Sequence, residues 1–184
     1  MTIFTIGHST HPIAEFIGLL EAHGVGRLVD VRTVPRSRHN PQFDSRTLAA
    51  SLRAARIAYR HLPALGGLRH ARPDSVNRGW RNASFRGFAD YMQTPEFAAG
   101  LAELLALAGK PKRKAAPFTA IMCAEAVPWR CHRSLIVDAL LARGLAVRHI
   151  MTAHSAPPAR LTPFARVAGR RVAYPAPRGA GDSG

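Results

Sequence analysis

The stretch from Phe118 to Gly144 constrains this chain most. Phe118-Thr119-Ala120-Ile121-Met122 is a short apolar run with the length of a buried strand. From Cys131 to Arg143 the residues Leu135, Ile136, Ala139 and Leu140 return at helical spacing, and Gly144 stands where a left-handed residue ends a helix. A compact loop between them carries Cys123, Glu125, Pro128, Trp129, Arg130, Cys131, His132 and Arg133. Thiols, a carboxylate, an imidazole and guanidiniums therefore gather where a strand ends and a helix begins. In a parallel α/β sheet ligands bind at that edge, and the first N–H groups of the helix favour anions and thiolates.

The rest of the chain supplies partners for this unit. Thr2 to Ile6 reads as a first strand, followed by Gly7-His8-Ser9-Thr10 and a helix with Pro12 in its first turn and Ile13, Phe16, Ile17 and Leu20 on its apolar face. Arg27 to Val31 is a second strand, which makes a βαβ unit and so a parallel sheet. Asp44 or Ser45 caps a short helix running to Arg56, and Ile57 to His61 is a third strand. Leu65-Gly66-Gly67 opens a long polar stretch to Ala83, of a length expected to be functional or disordered. Ser84 caps the next helix, and Thr94-Pro95-Glu96 starts another. Lys110 to Lys114 is a basic connector, and Ala146 to Ile150 is a fifth strand. The expected fold is a three-layer α/β domain over residues 1–152, a mostly parallel sheet of about five strands with helices on both faces. From Ala153 to Gly184 the chain turns rich in Pro, Ala, Gly and Arg and reads as a flexible tail, with Arg170 to Tyr174 as a potential edge strand.

Met122-Cys123-Ala124-Glu125 and Trp129-Arg130-Cys131-His132-Arg133 resemble a prokaryotic family, domain of unknown function 488. So do Ile6-Gly7-His8-Ser9, Leu28-Val29-Asp30-Val31-Arg32, Pro35-Arg36-Ser37-Arg38, Leu65-Gly66-Gly67 and Phe88-Ala89-Asp90-Tyr91-Met92. The resemblance runs from about Ile3 to about Met151. It implies a fold and a map of the site but no substrate, because the family carries no established reaction.

The net charge of +15 comes almost wholly from arginine, since Lys110, Lys112 and Lys114 are the only lysines among 26 basic residues. Arginine forks suit phosphate and carboxylate, so an anionic partner is one reading and drift of a GC-rich coding sequence is the other. No apolar run has the length of a membrane span, and the opening TIFTI has no basic segment before it, so the cytoplasm is the expected location. In that compartment the two cysteines are expected as thiols.

Strand ends would bring His8, Ser9, Asp30, Arg32, His61, Cys123, Glu125, His149 and His154 to one edge. Cys131, beside Arg130, His132 and Arg133 at a helix start, is a candidate thiolate nucleophile or a small packing residue. Glu125 is the candidate general acid or base, or else an ion-pair partner for Arg130 or Arg133. Asp30 and Arg32 form either a structural pair or, through Arg32, an anion grip. His8 and Ser9 resemble the first turn of nucleotide-binding folds, where backbone N–H groups meet phosphate, although Ser9 also reads as a helix cap. The leading expectation is an enzyme acting on a nucleotide or nucleic-acid-related anion. Glu125, Cys131 and His8 would be catalytic, and Ser9, Asp30, Arg32, Arg130, His132 and Arg133 would bind substrate. The alternatives are a nucleic-acid-binding module, with Trp80, Phe85 and Tyr59 stacking on bases, and a metal protein using Cys123, Cys131 and histidines. No cofactor follows from the sequence.

Overall fold

A computed structural model describes residues 1–109 and 117–177. The connector Lys110 to Lys114 and the tail residues Arg178 to Gly184 lie outside the described residues. Five parallel strands, β1 (Thr2–Gly7), β2 (Val25–Asp30), β3 (Ala58–His61), β4 (Phe118–Cys123) and β5 (Ala146–His149), form one sheet in the order β3-β2-β4-β1-β5. The helices are α1 (Ile13–Ala22), α2 (Ser45–Ala54), α3 (Ala83–Tyr91), α4 (Pro95–Ala108) and α5 (Arg133–Leu141).

Because side chains alternate along a strand, central β4 feeds both faces. Ile121 and Cys123 join a core with Phe88 of α3, Leu101 of α4 and Leu135 of α5. Ala120 and Met122 join the opposite core with Phe16 of α1 and Leu48 of α2. This is the expected three-layer α/β arrangement. The chain leaves β1 and β2 toward α1 and α2 but leaves β4, which lies between them, toward α5. That reversal opens a crevice beyond the carboxyl ends of β1, β4 and β2.

Helix starts follow the local chemistry with two shifts. Asp44 accepts from the Arg46 N–H and Thr94 from the Phe97 N–H, as expected. Asn82, not Ser84, caps α3, accepting from the N–H groups of Ser84 and Phe85. Pro12 precedes α1 without any side-chain cap, so Ser9 does not cap it. Helix α5 begins at Arg133, two residues after Cys131, which closes a single 3-10 turn at Pro128–Arg130.

The long polar stretch after Gly67 is ordered by one buried acid. Asp90 accepts from the Ser75 hydroxyl at 2.6 Å, the Asn77 amide at 2.8 Å and the Arg72 backbone N–H at 2.8 Å. Parts of the stretch from Ala153 to Tyr174 contact the domain, with Ala156, Val172 and Tyr174 buried. Pro157 and Ala159 run beside β5, taking the His149 N–H and donating to the Val147 carbonyl. Strand β7 (Arg171–Ala173) does not extend the main sheet; it pairs antiparallel with β6 (Arg166–Ala168). Tyr174 anchors the segment, fully buried with its hydroxyl on Asp138 at 2.7 Å. No helix among the described residues is long and apolar enough to cross a membrane.

Asp90→Ala strands the buried Ser75 and Asn77 donors, so unfolding stability should fall by about 3 kcal/mol. Chemical denaturation measures the fall, and limited proteolysis should show first cuts between residues 68 and 82.

Candidate active site

The β1–β4 ladder continues past both strands, with the His8 N–H on the Cys123 carbonyl at 3.0 Å and the Ser9 N–H on the Ala124 carbonyl at 2.8 Å. Gly7 permits this closeness, because a Cβ there would sit 1.8 Å from the Glu125 carbonyl oxygen. Ser9 itself takes a left-handed backbone, φ 46°. His8 donates from Nδ1 to the Ser9 carbonyl at 2.9 Å, which leaves the Nε2 lone pair toward Arg32 Nη1 at 3.3 Å. The ring stacks on Phe43 at 4.2 Å, and burial lowers its pKa, so the imidazole is neutral.

Asp30 and Arg32 form a buried pair. Arg32 donates from Nε at 2.9 Å and from Nη2 at 2.6 Å, and Tyr59 adds its hydroxyl at 2.8 Å. Burial, then the Asp30 charge, pushes the Tyr59 hydroxyl above its ordinary range. Arg32 Nη2 also donates to the Phe43 carbonyl. Nε and Nη2 are thereby satisfied inside the fold, while Arg32 still lines the cleft described below.

Cys123 at the end of β4 and Cys131 before α5 face one imidazole. His132 donates from Nε2 to two backbone carbonyls, Val31 at 3.2 Å and Leu65 at 3.1 Å. The tautomer is thus fixed, and the Nδ1 lone pair points at the Cys131 sulfur at 3.6 Å and the Cys123 sulfur at 3.9 Å. Gly67 packs flat on this ring; a Cβ there would lie 2.5 Å from Nδ1. The thiol pair holds its protons unequally. The closeness of the two sulfurs, opposed by burial and helped by His132, brings the first proton off below the ordinary thiol range and holds the second above it. The expected low-pKa thiol is therefore a property of the pair rather than of Cys131.

Arg133 is 1% exposed and is spent on backbone: Nη1 donates to the Ile6 carbonyl, and Nη2 to those of Glu125 at 3.2 Å and Ala126 at 3.3 Å. It holds the loop after β4 against β1 instead of standing free for an anion, and its buried Nε has no partner among the described residues. The Glu125 and Arg130 side chains are exposed. They make no ion pair with each other, and Arg133 meets only the Glu125 carbonyl.

These groups surround a cleft of about 480 Å³. His8, Arg32, Cys123, Glu125, Arg130, Cys131 and His132 all line it; Ser9, Asp30 and Arg133 do not. Arg36, Gly67 and Leu68 also line it without a role from single-residue reasoning, and so does Phe85, which was expected to stack on bases. The signal for Arg36 and Gly67 was their place in the Pro35–Arg38 and Leu65–Gly67 motifs; Leu68 follows the second motif directly. The expected histidines disperse. His61 reaches the Arg32 carbonyl at 2.8 Å, His149 turns inward to the Thr5 hydroxyl at 2.8 Å, and His154 is exposed. Two of the three aromatics considered for base stacking are used internally: Trp80 packs on Phe85, Phe164 and Tyr174, and Tyr59 binds Asp30.

A doubly wound parallel sheet with a Cys–His–Cys cluster at its topological reversal defines an α/β domain with a candidate active-site cleft. The model of the family described as domain of unknown function DUF488 matches residues 12–140, and the chain belongs to that family. No curated protein matches the chain, and no solved structure does.

Asp30→Ala leaves Arg32 as a buried unpaired cation and should cost about 3–5 kcal/mol in denaturant unfolding. The Asp30→Ala/Arg32→Ala double variant should lose less than the two single losses added. Burial lowers the His149 pKa to about 4, against an ordinary value of 6.5. The folded state therefore favours the neutral ring. The stability this contributes is present above pH 6.5 and is lost as pH falls toward 4. His149→Gln should flatten the dependence of melting temperature on pH across that window.

Proposed function

We propose that the protein is an enzyme acting on a nucleotide-sized anion bound in this cleft, with Cys123, Cys131 and His132 at its reacting floor. The observation that carries the reading is the placement of three soft donors under a rim of guanidiniums. Arg36 and Arg130 line the cleft, are exposed, and make no ion pair with any described residue. Free guanidinium forks at a concave site suit phosphate or carboxylate oxygens. Val34, Leu68 and Phe85 supply an apolar wall, and the volume lies within the range of small-molecule sites. A ligand with a charged end and a flat apolar end fits both surfaces.

Glu125 is the proton-transfer group of this reading: the residue lines the cleft, and its carboxylate belongs to no ion pair among the described residues. His8, held by Ser9 and Phe43 after β1, positions Arg32 after β2, across the end of β4. The test is turnover and binding on a panel of nucleoside phosphates and sugar phosphates. Glu125→Gln should abolish turnover with an unchanged melting temperature, while Arg130→Ala should raise KM on the order of tenfold or more. Full activity in Glu125→Gln removes that residue from the mechanism. A protein that neither converts any member of the panel nor binds inorganic phosphate saturably at the arginine rim overturns the reading.

A further inference from the structure

We infer that Cys123, Cys131 and His132 bind a divalent transition metal of the zinc class, with its fourth coordination position open to the cleft. The inference deepens the active-site reading and rests on it for the use of the metal, though not for its binding.

The donor geometry carries it. The two sulfurs and Nδ1 all lie within 4.8 Å of one another, with Nδ1 3.6 Å from one sulfur and 3.9 Å from the other. Zinc–sulfur and zinc–nitrogen bonds of ordinary length, set at a tetrahedral angle, separate sulfur from nitrogen by roughly 3.6 Å. The two sulfur–nitrogen spacings therefore lie within a few tenths of an ångström of what a bound ion requires. The imidazole is already in the metal-binding tautomer. A ligating histidine commonly donates its other ring N–H to a carbonyl or carboxylate, and here Nε2 meets the Val31 and Leu65 carbonyls. The Arg133 backbone N–H donates to the Cys131 sulfur at 3.4 Å, a contact that supports a thiolate ligand.

Donor type and number narrow the class. Two thiolates and an imidazole suit zinc and neighbouring soft or borderline ions rather than magnesium or calcium. The Cys-x7-Cys-His run differs from the close cysteine pairs of structural fingers, and a closed structural site has four protein ligands. No fourth histidine, cysteine or carboxylate joins this group among the described residues, and all three donors line the cleft. Three protein ligands and an open position are the arrangement of a catalytic zinc site. The charges also agree: two thiolates neutralise a dication, and no acidic side chain joins them among the described residues.

The experiment uses the full chain, stripped with chelator under reducing conditions and titrated with cobalt(II). One equivalent should produce thiolate-to-cobalt charge-transfer absorption and the intense visible bands of a tetrahedral ion. Zinc should displace the cobalt stoichiometrically. Cys123→Ser and Cys131→Ser should each weaken binding on the order of 100-fold or more, while Glu125→Gln binds as wild type. A wild-type chain that shows no charge-transfer band, or a spectrum unchanged by both serine substitutions, overturns the inference. If the wild type stays metal-free yet Glu125→Gln and Arg130→Ala still lose turnover, the active-site reading stands without the metal. If metal binds stoichiometrically while those two variants keep full turnover, the metal stands and the cleft reading falls.

Discussion

The arrangement of the cleft depends on a full positive charge buried under it. Arg133 begins α5 with 1% of its surface exposed, and its fork reaches the Ile6 carbonyl on β1 and the Glu125 and Ala126 carbonyls beyond β4. Burying a guanidinium is costly unless its donors are met, and burial lowers its pKa accordingly. The carbonyls that meet them lie at the end of β1 and in the loop beyond β4. One side chain therefore ties the end of β1 to the loop that carries Glu125. It also places a positive field beside the two sulfurs.

The rest of the polar edge repeats that logic with acids. Asp30 gathers Arg32 and Tyr59 at the end of β2, and Asp90 gathers Ser75, Asn77 and the Arg72 backbone. Each buried charge is satisfied by groups from separate parts of the chain. Long loops that bury little apolar surface are held in place this way, so the wall around Gly67 and Leu68 keeps its shape. What is left free at the rim, Arg36, Arg130 and Glu125, is what the interior did not need.

The sheet was legible because its signals are local. Each strand is a short apolar run, and β4 alternates Ala120 and Met122 against Ile121 and Cys123 between two cores, as period-2 geometry demands. The crowding of Cys123, Cys131 and His132 was legible from one segment of sequence. The orientation of His132 was not, because the carbonyls that fix it lie 101 and 67 residues away and belong to no residue type. Arg133 and Arg32 looked like ligand-binding arginines because sequence gives the charge but not the direction of the side chain. Asn82 and Ser84 are both good caps two positions apart, and only packing decides between them. In the segment after Ala153, the buried Ala156, Val172 and Tyr174 are spaced too far apart among Pro, Gly and Arg to give a periodic signal.

The strand order also dictates when this protein can be assembled. Strand β1 pairs only with β4 and β5, and β2 reaches β1 only through β4. A nascent chain that has emerged as far as Gly109 can zip β2 to β3, but its first strand still waits for a ladder partner. Closure of the sheet therefore falls late in synthesis and joins residues far apart in sequence, a topology that folds slowly. The amino-terminal half spends that interval with the apolar strand Thr2–Gly7 unpaired, which makes an incomplete chain a target for chaperones or for aggregation. The thiol pair and its imidazole come together only when β4 is inserted, so the cleft cannot form before that step.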